Sequence, residues 1–273
     1  MTVLQEHFLL SNGAKLPKVG FGTWQITDAQ EAYDATSMAL ASGYRHIDTA
    51  RVYDNEESVG RAIRDSGIPR TELFVATKLP AEIKDHDEAL VSFETTMEAI
   101  GLDYVDLYMI HAPWPWHAIG QDCAAGNKAV WKALETIHQS GRAKAIGVSN
   151  FNVSDLRVIL DGCAIKPMVN QIRFFIGHAQ PDVVDFCNGE GIQLTGYSPL
   201  ATGKILANPE ISAMAERYGK SVAQICIRYV LEKGIAPLPK STHAERIRQN
   251  VDVDFEITNG DMAWLDGLSD LET

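Results

Sequence analysis

Asp48, Tyr53, Lys78 and His111 are residues of proton-handling types, and each falls at or just past the end of a short apolar run. Asp48 follows His46–Ile47, with Tyr53 five residues on. Lys78 follows Leu73–Thr77, and His111 follows Tyr104–Ile110. A free phenol has a pKa of ~10, too high for an efficient proton donor at neutral pH. A nearby ammonium favours tyrosinate, so Lys78 is expected to lower the pKa of Tyr53, with Asp48 holding Lys78 in place and charged. His111 can hydrogen-bond a carbonyl oxygen and turn it toward Tyr53. Such a quartet protonates an oxygen as hydride arrives at the attached carbon. No side chain donates hydride, so a cofactor must supply it. Tyr197 offers an aromatic face for a flat ring, while Ser149, Asn150 and Gln171 offer hydrogen bonds to a carboxamide, which fits nicotinamide. Singly, each member of the quartet has a plainer role: a helix cap, a core-edge aromatic, a solvated strand end, a satisfied polar group. Jointly those plainer roles require four coincidences on one face.

The elements that would bring them together alternate between short strands and helices. Strands are predicted at Val19–Phe21, His46–Ile47, Leu73–Thr77, Tyr104–Ile110, Ala143–Val148, Met168–Ile172, Ile192–Thr195 and Ile235–Leu238. Their short, apolar character suits a parallel sheet buried on both faces. Between them, Thr27-Asp28-Ala29-Gln30 reads as a capping box, and Pro181 and Pro209 open two helices near their first positions. Further helices are predicted at Glu56–Asp65, Asp87–Ile100, Lys128–Gln139, Val153–Leu160, Ser221–Lys233 and His243–Val251, with a last one started by Thr258-Asn259-Gly260-Asp261. Eight strand–helix repeats with no linker-like break predict an α/β fold, a (β/α)8 TIM barrel spanning residues 1–273 as one domain. A doubly wound open sheet is the rival arrangement. Asn12-Gly13 between Phe8–Leu10 and Ala14–Leu16 predicts an N-terminal β-hairpin capping the barrel bottom. In such a barrel the reactive groups gather where the strands end.

Composition excludes several other roles. With 45% hydrophobic and 22% charged residues the chain is globular, and a net charge of −12 disfavours nucleic acid and anionic membranes. No apolar run approaches the ~20 residues of a membrane span, and the first ten residues lack the pattern of a signal peptide. Cys123, Cys163, Cys187 and Cys226 are scattered, so neither a disulfide scaffold nor a metal site is expected. The expectation is a soluble, cytoplasmic protein, monomeric by default. Gly20-Phe21-Gly22 imitates half of a dinucleotide fingerprint, but Gln25 stands at the third glycine position; it reads as a barrel strand entering a loop. Asn152-Val153-Ser154 matches a glycosylation acceptor in a chain with no mark of secretion.

Gly43-Tyr44-Arg45-His46-Ile47-Asp48-Thr49-Ala50, followed by Tyr53 and Asn55-Glu56, resembles the signature of the aldo-keto reductases. So do Val105-Asp106-Leu107-Tyr108-Met109-Ile110-His111, Gly147-Val148-Ser149-Asn150-Phe151, and Pro239-Lys240-Ser241 with Arg246 and Asn250. The resemblance runs from about Leu9 to Asp270 with its motifs in family order, and it is nearest to short bacterial members similar to the 2,5-diketogluconate reductases. Like them, the chain ends soon after its last helix. The resemblance implies Tyr53 as general acid, Lys78 and Asp48 as its tuners and His111 as substrate orienter. It implies NADPH as cofactor, with Ser149, Asn150, Gln171 and Tyr197 at the nicotinamide. Gly22, Thr23, Trp24, Ser198 and Leu200 would lie along the cofactor. Lys240, Ser241, Thr242, Arg246, Gln249 and Asn250 would meet its adenosine end. Trp24, His111, Ala112 and Trp114 would contact a small carbonyl substrate, an aldehyde or ketone, sugar-derived compounds included. Two departures stand out. Many relatives place Trp-Pro after the histidine where this chain has Ala112-Pro113, and the usual Asn-Gln-Ile/Val-Glu-x-His-Pro becomes Asn170-Gln171-Ile172-Arg173-Phe174-Phe175-Ile176. Trp114-Pro115-Trp116-His117 adds aromatics that could refill the pocket.

Lys240, Arg246 and Arg248 cluster after the last strand of an otherwise acidic chain. They read either as a solvated basic helix start or as a phosphate site. Arg246 can fork onto a phosphate, and a 2′-phosphate would explain NADPH over NADH. Two other readings compete with the reductase: a nicotinamide-binding sensor with little turnover, and a Schiff-base barrel using Lys78 as nucleophile.

Overall fold

The structure, a computed structural model, describes residues 2–269. Met1 and residues 270–273, Asp270 among them, lie outside the described residues. The chain opens with the hairpin of β1 (His7–Leu9) and β2 (Lys15–Pro17), Phe8 opposite Leu16. Gly13 takes the turn at φ +83°, a conformation that favours glycine. Leu10 and Leu16 sink into a cluster with Phe74, Leu107, Met109 and Val169 from the barrel interior, and Asn12 Nδ2 donates to Lys144 O. The hairpin therefore plugs the end at which the strands begin.

Eight parallel strands follow: β3 (Phe21–Gly22), β4 (His46–Asp48), β5 (Phe74–Leu79), β6 (Val105–Ile110), β7 (Ala143–Ser149), β8 (Val169–Arg173), β9 (Gln193–Tyr197) and β10 (Ala236–Leu238). They pair in sequence order, and Gly20 N and Gly22 N donate to Pro237 O and Pro239 O, joining the first strand to the last. Sequential order and closure give the barrel rather than the doubly wound sheet. A Cβ at Gly20 would stand 2.5 Å from Leu238 Cδ2 and 2.6 Å from His46 Nδ1. That glycine serves packing inside the barrel, not phosphate binding.

Helices α1 (Ala29–Ala41), α2 (Glu56–Asp65), α3 (His86–Ile100), α4 (Ala124–Gln139), α5 (Val153–Leu160), α6 (Pro181–Glu190), α7 (Pro209–Tyr218), α8 (Val222–Glu232), α9 (Ala244–Gln249) and α10 (Asn259–Asp266) cover the outside. The box expected from Thr27 is displaced by one residue. Asp28 is the cap, because its carboxylate reaches the amides of both Gln30 and Glu31. Helix α4 begins four residues before the expected Lys128. Asp122 accepts from Ala124 N and Cys123 O from Asn127 N, a start that a cysteine at the cap does not advertise. No helix among the described residues is long and apolar enough to cross a membrane, and no cluster of metal-ligating side chains occurs among them.

Candidate active site

Strands β4, β5 and β6 deliver Asp48, Lys78 and His111 to the barrel mouth at or just beyond their ends, because residues two apart on a strand face the same way. Tyr53 arrives on the 3₁₀ turn Arg51–Tyr53, which closes through Asp54 in the left-handed conformation. Lys78 is fully buried; its Nζ donates to Asp48 Oδ1 at 2.6 Å and to Thr49 O at 2.8 Å. The other oxygen, Asp48 Oδ2, accepts from Gln171 Nε2 at 2.8 Å. Lys78 Nζ lies 5.2 Å from the Tyr53 ring centre, and the Tyr53 hydroxyl is 3.4 Å from His111 Nε2. The quartet is one connected unit.

Its protonation pattern departs from expectation. Burial, and then the carboxylate of Asp48, push the Tyr53 phenol well above its ordinary value. Lys78 does not reverse this, since its charge is matched by Asp48 at contact distance. Burial lowers the Lys78 amine against the opposing pull of Asp48. Burial and the charge of Lys78 hold His111 well below the ordinary histidine value. Tyr53 is thus a protonated phenol and His111 a neutral imidazole. An ammonium at the place of Lys78 can stabilise negative charge on a neighbouring oxygen in a site that excludes water.

A cavity of about 1190 Å³ opens from this floor, larger than the ~300–1,000 Å³ of ordinary small-molecule pockets. Ser149, Asn150, Gln171 and Tyr197 line its middle. Tyr197 Oη donates to Asn150 Oδ1 at 2.7 Å, and Asn150 Nδ2 donates to His111 O at 2.9 Å. Asn150 and Ser198 both adopt positive φ, 63° and 52°. Gly22, Trp24, Ser198 and Leu200 line it as well, as do Lys240, Ser241, Thr242, Arg246, Gln249 and Asn250. Asp48, already paired, is the one carboxylate among the described lining residues, against the cations Arg173, Lys240 and Arg246. Arg248 does not line it. In a chain of net charge −12 this is the place for a polyanion.

Three expected contacts lie elsewhere. Thr23 is fully buried, its hydroxyl donating to Asp48 O at 3.1 Å, so its side chain braces the quartet from behind. Ala112 is fully buried and is not among the residues that line the cavity. Trp114 is likewise not in the lining; it packs edge-on against Trp116, ring centres 5.1 Å apart, and Trp116 forms the wall, perpendicular to His111 at 5.4 Å. Sequence reasoning gave no site role to Val52 and Arg173, both cavity-lining, or to Asn55. Asn55 is buried, donates to Thr23 O and Ile26 O, and accepts from the Thr49 hydroxyl, so it ties the β3 and β4 loops together. Its place beside Tyr53 in a polar, turn-rich stretch was the available signal.

Among proteins of known family, the profile of the Aldo/keto reductase family matches residues 18–270. The chain is 41% identical over 269 residues to the glyoxal reductase of Bacillus subtilis, covering 98% of this chain and 94% of that protein. It is 39% identical to the 9,11-endoperoxide prostaglandin H2 reductase of Trypanosoma cruzi, covering 96% and 90%. Two crystal structures share its fold. An aldo-keto reductase from a Medee basin deep-sea metagenome library superposes with a TM-score of 0.90 at 39% identity, covering 98% of this chain and 96% of the other. The Bombyx mori aldo-keto reductase in complex with NADP gives 0.86 at 33% identity, covering 95% and 91%.

Proposed function

The chain belongs to the aldo/keto reductase family, and from that premise we propose that it is a single-domain, NADPH-dependent reductase of small aldehydes and ketones in which Tyr53 is the proton donor. The observation that carries this reading is the meeting of the Tyr53 hydroxyl and His111 Nε2, 3.4 Å apart, at the floor of a cavity large enough for a dinucleotide. The residues present fit that cofactor. Asn150, Ser149 and Gln171 offer amide and hydroxyl groups for a carboxamide, Tyr197 an aromatic face, and Lys240 and Arg246 the charge for phosphate. When bound, NADPH supplies hydride.

The chain's own groups do the rest. A substrate carbonyl oxygen placed between Tyr53 Oη and His111 Nε2 receives two hydrogen bonds, which polarise it and fix its direction. The neutral His111 donates without competing for the proton. Tyr53 delivers its proton to the oxygen, and the Lys78 ammonium, anchored by Asp48 and Thr49 O, stabilises the tyrosinate left behind. Lys78 has no surface exposed and both its contacts are made within the barrel, which argues against its serving as a Schiff-base nucleophile. Incubation with NADPH and a panel of aldehydes, ketones and sugar-derived carbonyls, followed by the loss of reduced-cofactor absorbance, tests the reading. Steady consumption with at least one carbonyl is expected. Cofactor binding without consumption across the panel would leave a sensor as the better reading.

A further inference from the structure

Three successive carbonyl oxygens after β6 each accept a hydrogen bond from a side chain. His111 O takes Asn150 Nδ2 at 2.9 Å, Ala112 O takes Lys84 Nζ at 3.0 Å, and Pro113 O takes Asn127 Nδ2 at 2.8 Å. The second and third donors are themselves joined, Lys84 Nζ to Asn127 Oδ1 at 2.8 Å. Asn127 is buried, and a Cβ at neighbouring Gly126 would fall 2.7 Å from Lys84 Cβ, so the glycine lets α4 approach the loop that carries Lys84. That same loop accepts the Trp116 amide on Glu82 Oε1 at 3.3 Å. Neither Lys84 nor Asn127 lines the cavity.

We infer that Lys84 and Asn127 are positioning residues that set the size selection of the carbonyl pocket from outside it. They hold the Ala112–Pro113 turn so that Trp116 stands against His111. The physical reason is geometric. A segment that leaves a strand with its carbonyls unpaired has many exits, whereas one pinned at consecutive carbonyls has one. The exit fixed here turns the chain so that a tryptophan five residues beyond the histidine closes the pocket wall. The next residue, Ala112, is too small and too deeply buried to do so. With the wall fixed edge-on, the space beside the carbonyl admits unbranched or flat substituents and excludes branched ones. This inference rests on the reductase reading for its substrates but not for its structural content.

Steady-state kinetics with propionaldehyde and pivaldehyde, an unbranched and a branched aldehyde, test it. Lys84→Met removes the donor to Ala112 O. Asn127→Asp frees Pro113 O while leaving Lys84 a partner, so at least one of the two should fold. Both are expected to raise the pivaldehyde-to-propionaldehyde ratio of kcat/KM about tenfold, the size of effect a few methyl groups exert in an apolar pocket. Trp116→Ala should do the same, and adding Lys84→Met to Trp116→Ala should produce no further rise, since both act through one wall. Lys84→Arg, which keeps a donor, should stay near the parent ratio. Chymotryptic cleavage after Trp116 should quicken in Lys84→Met and Asn127→Asp but not in Lys84→Arg, and this readout needs no turnover. An unchanged ratio in Lys84→Met, equal losses for both aldehydes, additive effects in the double variant, or unchanged cleavage would each overturn the inference. A parent protein inert toward both aldehydes counts against the reductase reading alone, with cleavage still deciding the clamp.

Discussion

Gln171 reaches across the barrel mouth from β8 to Asp48 on β4, on the opposite side of the ring, and occupies the carboxylate oxygen that Lys78 does not. One bond thus links the residue expected at the nicotinamide carboxamide to the proposed proton-donor unit. Asp48 is buried, so the loss of this donor leaves Oδ2 without a partner. Gln171→Leu is expected to cost ~1–3 kcal/mol of stability, the penalty of an unsatisfied buried acceptor, and to lower kcat. Urea unfolding measures the first. A midpoint equal to that of the parent would show that the bond contributes nothing.

Tyr53→Phe keeps the ring and removes the proton. NADPH affinity should be retained while carbonyl reduction falls ~10²–10⁴-fold. Because burial and Asp48 hold the phenol protonated, its own ionisation should leave no inflection in kcat below about pH 9. Near-normal turnover in the variant would remove Tyr53 from the proposed role.

Glu56 makes a prediction about stability. Its carboxyl is buried at the start of α2, accepts from the Thr77 hydroxyl at 2.6 Å, and has Arg51 at 4.0 Å from its second oxygen, which lacks a hydrogen bond. Burial, only partly offset by Thr77, Arg51 and Lys78, raises its pKa from the ordinary 4.5 to about 7. Thr96 and Tyr108 also face it, and neither is charged near neutrality. Between these two values the unfolded chain gives up the proton while the folded one retains it. Stability from this group is therefore full below about 4.5, declines as pH rises, and is lost above about 7, a change on the order of 3 kcal/mol. Because His111 and His46, both held below the ordinary histidine value by burial, tilt the parent's profile the other way, the readout is the difference: thermal stability should fall more, or rise less, with pH across that window in the parent than in Glu56→Gln. Parallel profiles would mean the carboxyl is not the source.

The barrel and the quartet were legible because each strand is a short apolar run and each reactive residue ends one or follows it closely; local pattern alone carries that information. Two things were not. The pKa of Tyr53 depends on how much water its neighbours exclude, and a sequence displays nearby charges but not burial. The pocket wall depends on the path of an irregular loop after His111. Counting aromatics favours Trp114 or a missing residue at Ala112, yet it is Trp116 that stands against His111, beyond carbonyls that accept from Lys84 and Asn127. An Ala112→Trp substitution would accordingly overpack a fully buried position rather than rebuild a wall.

Arg246 is the residue proposed to decide cofactor choice. It lines the cavity with Lys240, Ser241 and Thr242. A guanidinium can bind a phosphate through two parallel hydrogen bonds, and NADPH differs from NADH by one phosphate. A hydrogen bond to a charged group is worth ~1.5–3 kcal/mol, roughly 10- to 150-fold in affinity. Arg246 is exposed, so solvent and salt place its contribution at the lower end. Arg246→Ala should therefore weaken NADPH about tenfold and leave NADH nearly unchanged, and the loss should shrink as ionic strength rises. Titration of both cofactors by fluorescence quenching at two salt concentrations distinguishes the outcomes. An equal loss for the two would show that Arg246 supports the fold of the cavity rather than reading the phosphate.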